Sequence, residues 1–148
     1  MSTDARVTKD LMETLKDGED GFAAAAEMLA DTERRDLAAE FRQFSQQRGE
    51  FYRELETLAA SYGEDIDDSG SAAATLHRAW MSVKDTLSGD DPHGVLDAAE
   101  QGEDHAVSEY EKSLEDDISQ GLRTVVQRQF DAVKQSHDRV KHLRDAAS

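Results

Sequence analysis

Apolar residues recur along one stretch of this chain with a spacing that leaves little choice of structure. Leu37, Phe41, Phe44, Phe51, Leu55, Leu58 and Tyr62 follow one another by steps of four and three, with a single seven-residue gap. That is the period of one buried helix face, whereas a strand would bury every second residue. Arg48 occupies the missing position in the seam. At about 100° per residue, Arg48 lies within about 30° of the centre of the stripe, Glu50 is about 130° away, and Arg53 points to water. A cation on a buried face needs an anion from another element.

The remainder of the chain reads as helical too. There is one Pro in 148 residues, and Ala, Leu, Glu and Arg are good helix formers. A first helix is expected from about Asp4 to Ala30, with Val7, Leu11, Leu15, Phe22, Ala26 and Leu29 on one face. Gly18 and Gly21 interrupt it, each costing about 1 kcal/mol relative to Ala; they signal either close approach of another backbone or a local break. The second helix carries the seam above. Gly63 to Gly70 reads as a loop, and Ser71 opens a shorter helix to about Leu87, with Leu76, Trp80, Val83 and Leu87 in line. Gly89 ends it. Asp91-Pro92 caps a third long helix that reaches about Glu115. Asp117-Ile-Ser-Gln120 resembles a capping box for a last helix whose seam is Leu122, Val126, Phe130, Val133, His137 and Val140.

The length suits one domain, residues 1–148. Absent cysteines exclude disulfides, thiolate metal sites and thiol catalysis. The N-terminus has no apolar signal-peptide core, and no run approaches the roughly 20 apolar residues of a membrane span; a cytoplasmic protein is expected. A formal net charge of −16, from 33 Asp and Glu against 17 Lys and Arg, argues against nucleic-acid and anionic-membrane partners. The same bias fits a salt-adapted acidic surface or an ordinary acidic protein whose charge serves solubility.

Two helical hairpins joined by a connection of about 28 residues suggest a bundle. A helix of about 17 residues rises about 25 Å, enough to carry the chain back so that the second and third long helices lie parallel; a plain up-down array is the competing arrangement. Gly18-Glu19-Asp20 and Gly102-Glu103-Asp104 stand at matching places on the first helix of each hairpin. Glu103 sits in an apolar stripe with Leu96, Ala99, Ala106 and Tyr110, and Glu19 sits between Leu15, Phe22 and Ala26. A buried carboxylate needs a partner.

The chain resembles the bacterial ferritin-like four-helix-bundle proteins of unknown function often grouped with stress-associated proteins. The resemblance rests on Leu15 to Phe22, Leu76 to Trp80, Gln101 to Asp104, Val126 to Phe130 and Val133 to Val140, and covers nearly the whole chain. It implies an all-α, ferritin-like four-helix bundle with a short helix in the crossover, and no established reaction. Di-iron members of that fold place a Glu on two helices and a Glu-x-x-His on the other two. Glu19 and Glu103 suit the single-Glu positions, but the paired motifs would be Glu50 to Arg53, whose Glu faces outward, and Lys134 to His137, where Lys replaces Glu.

The reading that follows is a buried polar layer of Glu19, Arg48, Glu103 and Tyr110, in which the two glutamates face each other and Arg48 supplies the positive charge. No cofactor is expected. The alternative is iron or manganese held by Glu19, Glu103 and His137. Relative heights count against it: a hairpin turn near 116 puts Glu103 level with Phe130, and His137 about 10 Å further along. His137 otherwise reads as a core histidine, while His77, Arg78, His93, His105 and His142 read as surface or packing residues. No nucleophile has an evident base, and no glycine pattern suits a phosphate. The expectation is a non-enzymatic protein, either monomeric or a homo-oligomer.

Overall fold

A computed structural model describes residues 2–62 and 92–147, and these form four helices with no strand among them. They are α1 (Thr3–Ala30), α2 (Asp36–Ala60), α3 (Pro92–Glu115) and α4 (Gln120–Ala147). The expected loop from Gly63, the helix through Trp80 with His77 and Arg78, and the Asp91 cap lie outside the described residues.

Local chemistry sets the helix ends. Ser2 caps α1 by accepting from the Ala5 N–H at 3.1 Å. At the other end the Thr32 hydroxyl donates to the Leu29 carbonyl at 2.8 Å and accepts from the Arg34 N–H at 3.0 Å. α1 runs unbroken through Gly18 and Gly21, so no local break forms there, and what approaches Gly18 is the side chain of Arg48 rather than another backbone. The α3–α4 connection departs from the expected capping box. Ser119, not Asp117, receives the Leu122 N–H, and Arg123 donates to the carbonyls of Leu114 at 2.7 Å and Asp116 at 2.9 Å. One guanidinium thus satisfies carbonyls that the end of α3 leaves open.

Helix directions follow from side-chain pairs. Asp4 accepts from the Ser119 N–H at 2.9 Å and Arg6 lies 3.2 Å from Asp116, so α1 starts beside the α3–α4 turn and runs antiparallel to α3. Arg139 pairs with Glu40 and Arg128 with Glu54, so α4 runs antiparallel to α2. With both hairpins antiparallel, α2 and α3 point the same way, so the end of α2 and the start of α3 lie at opposite ends of the bundle.

The core is split in two. Phe22, Leu29, Leu37, Phe41, Leu96, Ala99 and Val140 belong to one apolar cluster, and Leu11, Leu15, Leu55, Ala106, Tyr110, Leu122, Val126 and Val133 to the other. In the first, Phe22 meets Phe41 edge-on at 5.5 Å, an arrangement that suits the ring quadrupoles. Between the clusters each helix contributes one residue at the same level: Gly18, Arg48, Glu103 and Ser136, all buried.

A buried polar layer as the candidate functional site

Arg48 reaches this level from the gap in the α2 seam. Its Nη1 donates to Glu103 Oε1 at 2.7 Å and its Nη2 to Glu103 Oε2 at 2.8 Å. The two side chains are 1% and 0% exposed. This is the paired fork geometry that matches guanidinium to carboxylate. Nη2 also donates to Ser136 Oγ at 2.5 Å. The single hydroxyl hydrogen of Ser136 lies within reach of Glu103 Oε2 at 2.7 Å and of the Val133 carbonyl at 2.9 Å. Above the plane, the guanidinium carbon sits 5.2 Å from the centre of the Phe22 ring, a cation–π contact in a desolvated setting.

Glu19 does not join this layer. Its carboxylate is 29% exposed and faces Lys16 at 3.5 Å. The inward position on α1 belongs to Gly18, one residue and about 100° away. A Cβ on Gly18 would stand 3.4 Å from Arg48 Nη1 and 3.5 Å from its Cγ, so the missing side chain leaves the space that the arginine fills. Glu19 instead lies over Gly49, where an added Cβ would meet its Oε2 at 2.1 Å. Ser45 donates to the Glu19 carbonyl at 2.7 Å. Two glycines thus let α1 and α2 interlock, each receiving a charged side chain from the other helix.

Tyr110 is fully buried but belongs to a separate chain of hydrogen bonds in the other half of the core. Its hydroxyl donates to Gln129 Oε1 at 2.8 Å, and Gln129 Nε2 donates to Glu54 Oε1 at 2.8 Å. Arg128 closes that chain at the surface by pairing with Glu54. Burial pushes the Tyr110 phenol far above its ordinary pKa, with the charges of Glu54 and Glu103 acting in the same direction and those of Arg48 and Arg128 against it.

His137 sits at the margin of the bundle and bridges α3 to α4. Its Nε2 is 2.6 Å from Asp104 and its Nδ1 is 3.0 Å from Asp138, with 13% of the side chain exposed. Partial burial works against the charged ring. Hydrogen bonds to Asp138 and Asp104, with the field of Asp104 and Glu103, outweigh it and raise the imidazole pKa above its usual value. The expected heights were wrong here: Glu103 is level with Ser136, not Phe130, because the 116–119 connection is not helical and shifts the register of α4.

Sequence reasoning missed Ser136 and Gln129. The buried line of α4 is Leu122, Val126, Gln129, Val133, Ser136, Val140 and Leu143, an unbroken alternation of steps of four and three. Choosing apolar or aromatic residues at each turn selects Phe130 and His137 instead, each one position off that line. Spacing alone would have found both polar residues.

The residues present do not fit the metal centre that a ferritin-like fold suggests. Glu19, Glu103 and His137 take separate partners, and both Glu103 oxygens are engaged by Arg48. Among the described residues no group of three or more His, Asp or Glu side chains could hold a metal ion, and no helix is long and apolar enough to cross a membrane.

These observations define a four-helix bundle with parallel α2 and α3 and a buried arginine–glutamate–serine layer across its core. The chain belongs to the family described as Domain of unknown function (DUF2383), whose model matches residues 5–116, a span that contains both Arg48 and Glu103. A search of curated proteins found no match.

Proposed function

We propose that this protein is a ferritin-like bundle that acts without catalysing a reaction, as a cytoplasmic structural or interaction protein with a stress-associated role and no cofactor. The observation that carries this reading is the double hydrogen bond between Arg48 and Glu103. A guanidinium balances the buried carboxylate where a di-metal protein would use metal ions, leaving the pair no free lone-pair direction between them for an ion. The parallel α2 and α3 support the ferritin-like part, since that fold has one long crossover between its hairpins. The stress-associated part rests on the resemblance.

Elemental analysis of protein purified without chelator, followed by anaerobic titration with iron, tests the central claim. Less than one metal ion per chain is expected at every stage. Stoichiometric iron or manganese that disappears in Glu103→Gln would overturn it. Loss of the gene is expected to reduce survival under oxidative or osmotic challenge without removing any enzymatic activity.

A further inference from the structure

The α2–α4 seam is closed at two places and open between them. Arg139 holds Glu40 through two hydrogen bonds at 2.7 and 3.1 Å, and Arg128 holds Glu54 three turns away. Between these clasps lies a groove of about 450 Å³, a volume within the range of small-molecule sites. We propose that this groove binds a small neutral molecule rich in hydroxyl groups, a polyol or a monosaccharide.

Three features of the groove select that chemistry. Its walls carry the amides of Gln43, Gln47 and Gln135, which offer donors and acceptors without charge, beside the apolar faces of Phe44 and Ala132. The cations nearby already have partners: Arg139 is taken by Glu40, and Arg48, behind the groove, by Glu103. An anion therefore gains little here. Finally, Ser136 lines the groove and is hydrogen-bonded to Arg48, so the wall touches the buried layer directly.

Gln47, which lines the groove, has a buried Oε1 without a hydrogen-bond partner, and so does the Nε of Arg48, whose Nη2 holds the groove-lining Ser136. The Nε–H projects from the same edge of the guanidinium as Nη2, the nitrogen that reaches Ser136. A hydroxyl accepts from an N–H and donates to an amide oxygen at once. Gln47 is half-buried, and the last torsion of a Gln side chain has a broad minimum, so its amide can adapt to a hydroxyl held in the groove. This site goes beyond the structural role proposed above and stands on the geometry of the seam.

Titration of the full chain with glucose and with glycerol, followed through the side-chain amide signals of Gln43, Gln47 and Gln135 in NMR spectra, tests the proposal. Succinate and inorganic phosphate serve as anionic probes. Saturable shifts of those amides with a neutral probe, and none with the anions, are expected. Ala132→Trp, which fills the groove, should abolish the response, and Gln47→Leu should weaken it about tenfold. Urea melts report whether each variant folds, and Gln47→Leu alone decides the matter if Ala132→Trp does not. Amide signals that stay still with both neutral probes, stronger binding of an anion, or an unchanged response in folded variants would overturn the proposal, the two unpartnered atoms then being served by water alone.

Discussion

Arg48 and Glu103, 55 residues apart in the chain, meet in the middle of the bundle through two hydrogen bonds of 2.7 and 2.8 Å, with essentially no exposure of either side chain. The pair ties the second helix to the third at the level where the apolar core divides. Its mutual attraction is offset by the desolvation of both ions, so its value lies more in setting the register of the helices than in net stability.

That balance predicts an asymmetric response to mutation. Arg48→Met leaves Glu103 buried without a countercharge and is expected to cost about 3–5 kcal/mol. Arg48→Met combined with Glu103→Leu should regain most of that loss, since replacing both ions by apolar groups is often neutral or stabilising. Urea denaturation of the single and double variants provides the comparison. A double variant no more stable than the single one would show that the pair contributes strongly in its own right.

The interlock of α1 and α2 makes the glycines of this protein unequal. Nothing lies within 4 Å of a Cβ added at Gly121, and Gly121→Ala should stabilise by up to about 1 kcal/mol through helix propensity. Gly49→Ala must displace the Glu19 carboxylate and should forfeit that gain. Adding Glu19→Ala should restore it. Thermal melts of the three variants check the order, and equal gains at Gly49 and Gly121 would remove the interlock.

Tyr110 is expected to remain protonated in the folded protein at about pH 11, past the usual tyrosine range, because burial opposes the phenolate. Ultraviolet absorbance titration should show its ionisation only on alkaline unfolding. Tyr110→Phe removes the donor to Gln129 and is expected to cost about 1–2 kcal/mol in a urea melt.

The bridge at His137 predicts a pH dependence of defined sign. The imidazole pKa is raised on folding, so the charged ring favours the folded state. Its contribution is complete below the unfolded value of about 6.5 and is lost as pH rises through the higher folded value. Asp138, whose pKa is lowered chiefly by its hydrogen bond to His137, acts in the opposite sense, contributing above about pH 3.9 and losing that contribution in acid. Wild type should therefore lose stability relative to His137→Gln between neutral and mildly alkaline pH. Parallel stability profiles for the two proteins would show that the bridge is not formed in solution.

Helix content, the α2 seam with Arg48 turned inward, and Glu103 on a buried face were legible in the residues because they depend on periodicity within one helix. The same reasoning failed for Glu19. Its apolar neighbours at three and four residues fit a buried position, yet those neighbours surround Gly18 almost as closely, and a helix can turn only one of two consecutive residues to the centre. Polar Gln129 and Ser136 were overlooked for the complementary reason: the seam of α4 continues through them, while Phe130 and His137 attract the eye.

By itself the sequence determined that this chain is helical, that its helices bury apolar stripes against one another, and that a positive and a negative side chain lie on two of those stripes. Periodicity is local and survives in one dimension. Only the tertiary structure decided which opposite charges meet, because the heights of Arg48, Glu103 and Ser136 depend on connections and helix rotations that no single helix encodes. The space beside Gly18 accommodates the arginine, and the non-helical Asp116–Ser119 connection brings Ser136 level with the pair. Close packing of four helices, rather than any motif within one of them, made these three residues a layer.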